Sequence, residues 1–323
     1  MADDIFHLGW IHPDNRTAYM HDAHDAAMAA MPKFSLPPQG KPEVNTKLIL
    51  PALWSHPRVI EAYGQAFTGN HQLTGSCVGV GGGNVIATLE CIEILNLGQN
   101  ERFVFPYFWF NYGVSRKLMG DDFEGEGSLG STFARSFVEY GSPAMIGSKL
   151  PPPKDYSDGW VWGSQHEMRW SRFSNIDPAV GTEARPHVGT TAPLTSAEQV
   201  RDSILNGYPV TRASGVFVNP NSAQVRDGAL IGNHNGQGGH QESWLGYWNH
   251  PQEGELIWEQ NQWGLNVYGK DPGGGPLGGC WITMDTCQRM IDQQYSEVFA
   301  FSNYQGYPAQ PNLYDWVNQS FWS

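Results

Sequence analysis

Three short stretches carry residue types able to break an amide bond. Gly75-Ser76-Cys77 stands directly before an apolar run that reads as a helix. A thiol at a helix N-terminus feels roughly half a positive charge, and that field favours the nucleophilic thiolate. Gly238-Gly239-His240 leads into the stretch Gln241 to Trp248, which puts an imidazole at the mouth of a predicted strand, where it can take a thiol proton. Asn261 follows the apolar run Leu256 to Gln260. Its amide oxygen is suited to accept the imidazole N–H and fix the tautomer, with Trp263 covering that bond from water. Each stretch also has a plainer reading: a small buried Cys, a surface-loop His, a turn Asn beside a core Trp.

Metal chemistry has less to stand on. His21 and His24 would share one face of a helix, and a solvated face is the preferred explanation over a metal pair. His234 and His240 are separated by Asn235-Gly236-Gln237-Gly238-Gly239, and neither an HExxH nor a CxxC pattern is present. No metal or cofactor is expected.

The elements that must position these residues follow from periodicity. Cys77 to Leu97 reads as a helix ending at Gly98, apolar nearly all round in its second half and so central and buried. Gly79, Gly81, Gly82 and Gly83 weaken it by roughly 1 kcal/mol each against Ala, so a close-packed neighbour or a ligand must need the space. Leu129, Phe133, Phe137 and Tyr140 mark one face of a helix from about Ser128 to Tyr140, stopped by Gly141 and Pro143. Thr195-Ser196-Ala197-Glu198 forms a capping box for a short helix with Val200 and Ile204 inward and Gly207 at its end. Beyond it the pattern turns to strands: Val210 to Val218, Ser243 to Trp248, Glu255 to Gln260, Cys280 to Met284 and Glu297 to Ser302. A helical first half and a sheet second half make an α+β plan with two lobes, about 46–190 mainly helical and about 191–323 mainly β. Residues 1–45, with Pro37, Pro38 and Pro42, read as an N-terminal extension or arm. Residues 151–190, with Pro151-Pro152-Pro153, Trp160, Trp162 and Trp170, form a long irregular stretch.

Composition narrows the partners. The chain has 323 residues, a formal net charge of −13 and 4 Cys. No Lys/Arg cluster occurs, so nucleic acid, which wants basic patches to displace counterions, is not an expected partner. The acidic start Met1-Ala2-Asp3-Asp4 is unlike a secretory signal, and no uninterrupted apolar run suggests a membrane span of roughly 20 residues. Four Cys in a chain this long do not form a disulfide scaffold, and a cytoplasmic or virion-associated protein with free thiols is expected.

Taken together, Gly75-Ser76-Cys77, Gly239-His240 with Gly246-Tyr247, Asn261-Gln262-Trp263-Gly264 and the closing Gly278-Gly279-Cys280-Trp281-Ile282 resemble, in type and order, the papain-like cysteine peptidase superfamily. The resemblance spans roughly residues 50–305. It implies a two-lobed fold, a helical lobe with the Cys helix beside an antiparallel β-barrel-like lobe. It also implies a Cys-His-Asn triad: Cys77 as nucleophile, His240 as base and later acid, Asn261 orienting His240. A Gln a few residues before the nucleophile would help hold the oxyanion together with the Cys77 N–H. Gln72 stands five residues before Cys77 where papain itself has six, and His71 occupies the six-residue position, so the donor is Gln72 or His71. Thr74 replaces the disulfide Cys of secreted relatives, and Val78 replaces the aromatic residue after the nucleophile.

Two functions follow. One is a hydrolase cleaving peptide or protein amide bonds through a thiolate–imidazolium pair of Cys77 and His240. The other is a papain-like fold used as a structural or assembly protein, such as a virus-particle component, with the triad idle or accessory. The Pro-containing arm would then reach neighbouring subunits, and 13 Trp and 13 Tyr would serve interfaces. Residues 1–45 are also long enough to cover a cleft.

Overall fold

A computed structural model of the chain describes residues 8–36, 38–63, 66–67, 69, 72, 74–96, 108–120, 125–143 and 189–302. Pro37, His71, the Pro151-Pro152-Pro153 stretch and Trp160, Trp162 and Trp170 lie outside them.

The helical part holds α1 (Ala18–Ala30), α2 (Pro57–Tyr63), α3 (Cys77–Asn96), α4 (Phe108–Met119) and α5 (Gly130–Tyr140). The described part of α3 is buried almost throughout. By length and composition alone it would pass for a membrane span, yet 94% of Cys77–Leu95 is buried inside the fold, as in the core helix of a globular protein. Its glycines serve packing. A Cβ on Gly79 would press on the Tyr112 ring of α4, one on Gly82 would run into Phe133 of α5, and one on Gly81 would sit 3.3 Å from the Gln241 carbonyl. Leu129, Phe133 and Phe137 are buried, as the spacing predicts, and α5 stops at Gly141, whose φ of 75° suits only glycine well.

The other part is one nine-stranded sheet: β1 (Lys47–Ile49), β2 (Thr190–Pro193), β3 (Val210–Phe217), β4 (Gln224–Arg226), β5 (Ala229–Ile231), β6 (Gly236–His250), β7 (Gly254–Gln260), β8 (Gly279–Thr283) and β9 (Glu297–Ser302). The order is β2-β9-β3-β6-β7-β8-β5-β4, with β1 on β6. All pairs are antiparallel except β5 with β8. Two further helices, α6 (Ala197–Leu205) and α7 (Met284–Ile291), and three short 3-10 helices, Pro13–Asn15, Leu50–Ser55 and Pro220–Ser222, complete the described elements.

Two local expectations need correction. The N-cap of α6 is Ser196, whose side chain accepts from the Gln199 N–H, while Gln199 accepts from the Thr195 N–H at 2.7 Å. The N-cap is therefore one residue later than Thr195, and Gln199 rather than Glu198 reaches back, to the N–H of the residue before the cap. His240 lies inside β6, opposite Ser214 of β3, rather than at a strand mouth. The glycine-rich approach still forms ladder bonds, because strand pairing tolerates Gly where a second backbone comes close.

Candidate active site

Cys77 is the first residue of α3, and β6 passes directly over it. The Gln241 backbone N–H donates to Cys77 Sγ at 3.3 Å. Three side chains stitch the start of α3 to the sheet: Gln241 Nε2 donates to the Val78 carbonyl (3.0 Å), Ser243 Oγ to the Gly81 carbonyl (2.8 Å) and Gln262 Nε2 to the Cys77 carbonyl (3.3 Å). The same Gln262 amide also donates to the Gln241 carbonyl. Gln241 and Ser243 share one face of β6, and His240 and Glu242 share the other, because side chains alternate along a strand.

His240 Nε2 lies 3.2 Å from Asn261 Oδ1, just past the end of β7. Trp263 stacks on the imidazole with ring centroids 4.2 Å apart and planes 15° off parallel, and Phe217 meets the same ring edge-on at 5.9 Å. Hydrocarbon faces thus flank the His–Asn bond. Behind it, Asn261 Nδ2 donates to Glu242 Oε1 and to the Tyr268 hydroxyl, each at 2.9 Å. Gln72 lies close in backbone terms, its N–H donating to the Gln262 carbonyl at 2.8 Å, while its Nε2 donates to the Thr74 carbonyl at 2.7 Å. Sequence reasoning named Cys77, His240, Asn261, Trp263 and Gln72. It did not single out Gln241 or Gln262, whose only signal is a polar side chain within a stretch otherwise built for a core.

The groove between Cys77 and His240 is filled by the chain's own N-terminal segment. The Gly9 and Trp10 N–H groups donate to the Gly239 carbonyl, both at 3.1 Å. On the helical side, Ser128 N–H donates to the Gly9 carbonyl (2.9 Å) and Ile11 N–H to the Ser128 carbonyl (3.1 Å). The fit is tight enough to demand glycine: a Cβ on Gly9 would collide with the Gly75 carbonyl, and one on Gly239 with the Trp10 carbonyl. Trp10, Arg16 and His24 all converge on buried Glu297 at the start of β9, at 2.6, 3.2 and 2.7 Å. The arm therefore lies against its own chain over these residues, and His24 contacts a carboxylate.

Burial sets the charges. It pushes the Cys77 thiol up to about 12, with Gln241, Gly9 and Val78 backbone N–H groups opposing and the Glu242 carboxylate adding to the rise. It pushes the His240 imidazole down to about 3, helped by the Arg212 charge and opposed by the Asn261 bond. Both groups are neutral at pH 7 in this closed form. Among the described residues, Nδ1 of His240 makes no hydrogen bond. The thiolate–imidazolium pair expected from the helix dipole is thus not the closed state, because taking two charges out of water outweighs a helix-end field. The other three cysteines, Cys91, Cys280 and Cys287, are buried free thiols. Among the described residues no group of three or more His, Cys, Asp or Glu side chains is arranged to hold a metal ion.

No protein-family model matches the sequence, and no curated protein matches it. Solved structures do match. Xylellain, a cysteine protease from Xylella fastidiosa, is 16% identical over 84% of this chain and 91% of its own, with a TM-score of 0.54. The fold is papain-like. Procathepsin B S9 from Trypanosoma congolense, 12% identical over 91% of this chain and 85% of its own, superposes with a TM-score of 0.52. At such low identity the likeness establishes the papain-like architecture, a helical part against a large antiparallel sheet, and assigns no role to any side chain.

Proposed function

We propose that this papain-like chain is a cysteine peptidase that cleaves peptide or protein amide bonds with Cys77, His240 and Asn261, and that its own N-terminal strap holds it closed. The observation that carries this reading is the His240–Asn261 bond, capped by Trp263, on the strand that crosses the N-terminus of the Cys77 helix. An imidazole fixed through Nε2 keeps Nδ1 as its basic nitrogen. Once the strap leaves and water returns, the helix N-terminus and a protonated imidazole both favour the thiolate.

The chemistry then runs as follows. His240 Nδ1 takes the Cys77 proton, and Sγ attacks the substrate carbonyl. The oxyanion is held by the Cys77 N–H and a second donor, Gln72 or His71, a contribution worth about 3–4 kcal/mol of barrier. His240 returns the proton to the leaving amine, and a water molecule deprotonated by the same nitrogen hydrolyses the thioester. The assembly reading has less support, since the described part of the arm is spent on the chain's own groove.

The direct test is peptide hydrolysis by strap-released protein, with Cys77→Ala as control. Turnover lost in a folded Cys77→Ala variant supports the reading, and turnover that survives it refutes it.

A further inference from the structure

The two ends of the Asn261 amide are nearly equal in shape, yet their neighbours permit one orientation. Oδ1 faces His240 Nε2 and accepts from the Gln262 N–H at 2.6 Å. The Tyr268 hydroxyl gives its own proton to the Val218 carbonyl (3.1 Å), so it offers Asn261 a lone pair. Glu242 Oε1 offers another. Glu242 is fully buried and sits two residues after His240 on the same face of β6. Arg212 holds its second oxygen from behind and also reaches Glu259 Oε2 at 3.4 Å.

Arg212 has a carboxylate in Glu259 without Glu242. A second buried carboxyl beside the first costs desolvation and repulsion, so balancing Arg212 does not account for it. Besides Glu259, the Glu242 carboxyl meets the site through Oε1, which accepts from Asn261 Nδ2 at 2.9 Å and stands 3.8 Å from His240 Nε2, beyond hydrogen-bond reach. We propose that Glu242 is a positioning residue: by accepting from Asn261 Nδ2 it aims Oδ1 at His240, holds the imidazole as the Nε2–H tautomer, and so reserves Nδ1 for the Cys77 proton. The inference deepens the peptidase reading and rests on it. Burial first, and the neighbouring Glu259 next, push the Glu242 carboxyl well above the usual range. Its service to Asn261 is therefore a hydrogen bond that does not require a charge, and Gln is the conservative replacement.

The test reads the ring itself. Imidazole nitrogen NMR of the full chain, with the His240 signal assigned through His240→Gln, reports one Nε2–H tautomer in the wild type. Glu242→Leu is expected to give a mixture of tautomers and to lower kcat on a peptide about a hundredfold with little change in KM, the low end of what positioned acid–base catalysis contributes. Glu242→Gln is expected to restore both, and it keeps the proposal testable if the Leu variant does not fold. Tyr268→Phe, which removes the other acceptor but leaves Glu242, is expected to keep the single tautomer. A folded Glu242→Leu with an unchanged tautomer and kcat overturns the proposal, as does a mixture in the Gln variant or equal mixing in Tyr268→Phe. Tautomer control by Glu242 in a protein that shows no turnover after strap release supports the positioning role and refutes the peptidase reading.

Discussion

The indole N–H of Trp10 donates a 2.6 Å hydrogen bond to Oε2 of Glu297. That bond ties the segment filling the groove to the first residue of β9. Glu297 also accepts from the Gly130 N–H at 2.7 Å and the Ser131 hydroxyl at 3.2 Å, so one carboxylate joins strap, helix α5 and sheet.

Glu297→Gln should loosen the strap before it unfolds the protein. The substitution leaves the Arg16 charge buried without its anion, a loss of about 3–5 kcal/mol when one partner of a buried pair is removed. Releasing residues 8–16 to water avoids that penalty, although it also takes Trp10 out of the main core. The check is alkylation followed by mass spectrometry: Cys77 is expected to react at least about tenfold faster than in wild type, each 1.4 kcal/mol of released protection being worth a factor of ten. Cys91, Cys280 and Cys287 should stay unreactive. Uniform labelling of all four would mean global unfolding instead.

Gly9→Val tests the same strap without altering a charge. The added side chain has no room against the Gly75 carbonyl, and the backbone of that turn is held by Glu126, which accepts from the Gly75 N–H at 2.6 Å. The expected result is fast Cys77 alkylation with a thermal midpoint close to wild type. Slow alkylation in a folded Gly9→Val protein would show that the groove is not kept closed by this fit.

Closure should depend on pH with a plateau. His240 is depressed from 6.5 to about 3, with burial the main cause. For Glu297, burial pushes upward, but the His24 hydrogen bond, the Arg16 and His24 charges and the Trp10 bond outweigh it and carry the group from 4.5 down to about 2. A group depressed in the closed form stabilises it above the ordinary pKa and loses that contribution as pH falls toward the shifted one. Closure therefore weakens below 6.5 through His240 and further below 4.5 through Glu297. Cys77 is raised from 9.0 to about 12, so the closed form also loses ground as pH climbs between those values. The strap should be tightest between 6.5 and 9.0, with each pH unit outside costing up to about 1.4 kcal/mol per group. The Trp10 indole proton resonance reports this directly: present across the plateau and lost near pH 4 while the sheet amides persist. A resonance unchanged down to pH 3 would contradict the link between these shifts and strap closure.

The α+β architecture and three side chains of the candidate site were legible in the sequence because they rest on local signals. Apolar periodicity placed α5, the strands β3, β6, β7, β8 and β9 announced themselves through branched and aromatic runs, and Glu297–Ser302 was placed to the residue. Cys77, His240 and Asn261 stood out because each borders such an element. The short strands β1, β4 and β5 have only three residues each, too few for a period, and pair only because β6, β8 and each other are already in place. The Glu297 latch joins residues whose separation along the chain is as long as 287, and nothing local to Trp10 or Arg16 points to it. The neutral closed state was equally hidden, since a sequence shows the helix end that favours a thiolate but not the strap that removes its water.

Trp263→Ala separates shielding from positioning in the His–Asn pair. The indole lies flat on the imidazole, and Phe217 meets both rings edge-on, at 5.9 Å from His240 and 5.1 Å from Trp263. Removing the indole lets water approach the His240–Asn261 bond while leaving Glu242, Tyr268 and Gln262 in place around the amide. Water weakens a hydrogen bond by raising the local dielectric, and it also relieves the desolvation that depresses His240. His240 should then titrate above its value of about 3, toward 6.5, with the Nε2–H tautomer retained in the neutral ring. On the peptidase reading, kcat of the strap-released protein should fall about tenfold, because general-base chemistry depends on a fixed ring. Imidazole NMR titration and steady-state kinetics on the same protein distinguish the two effects. If the titration stays where it is while kcat falls, Trp263 acts by steric support of the ring and not by excluding water from it.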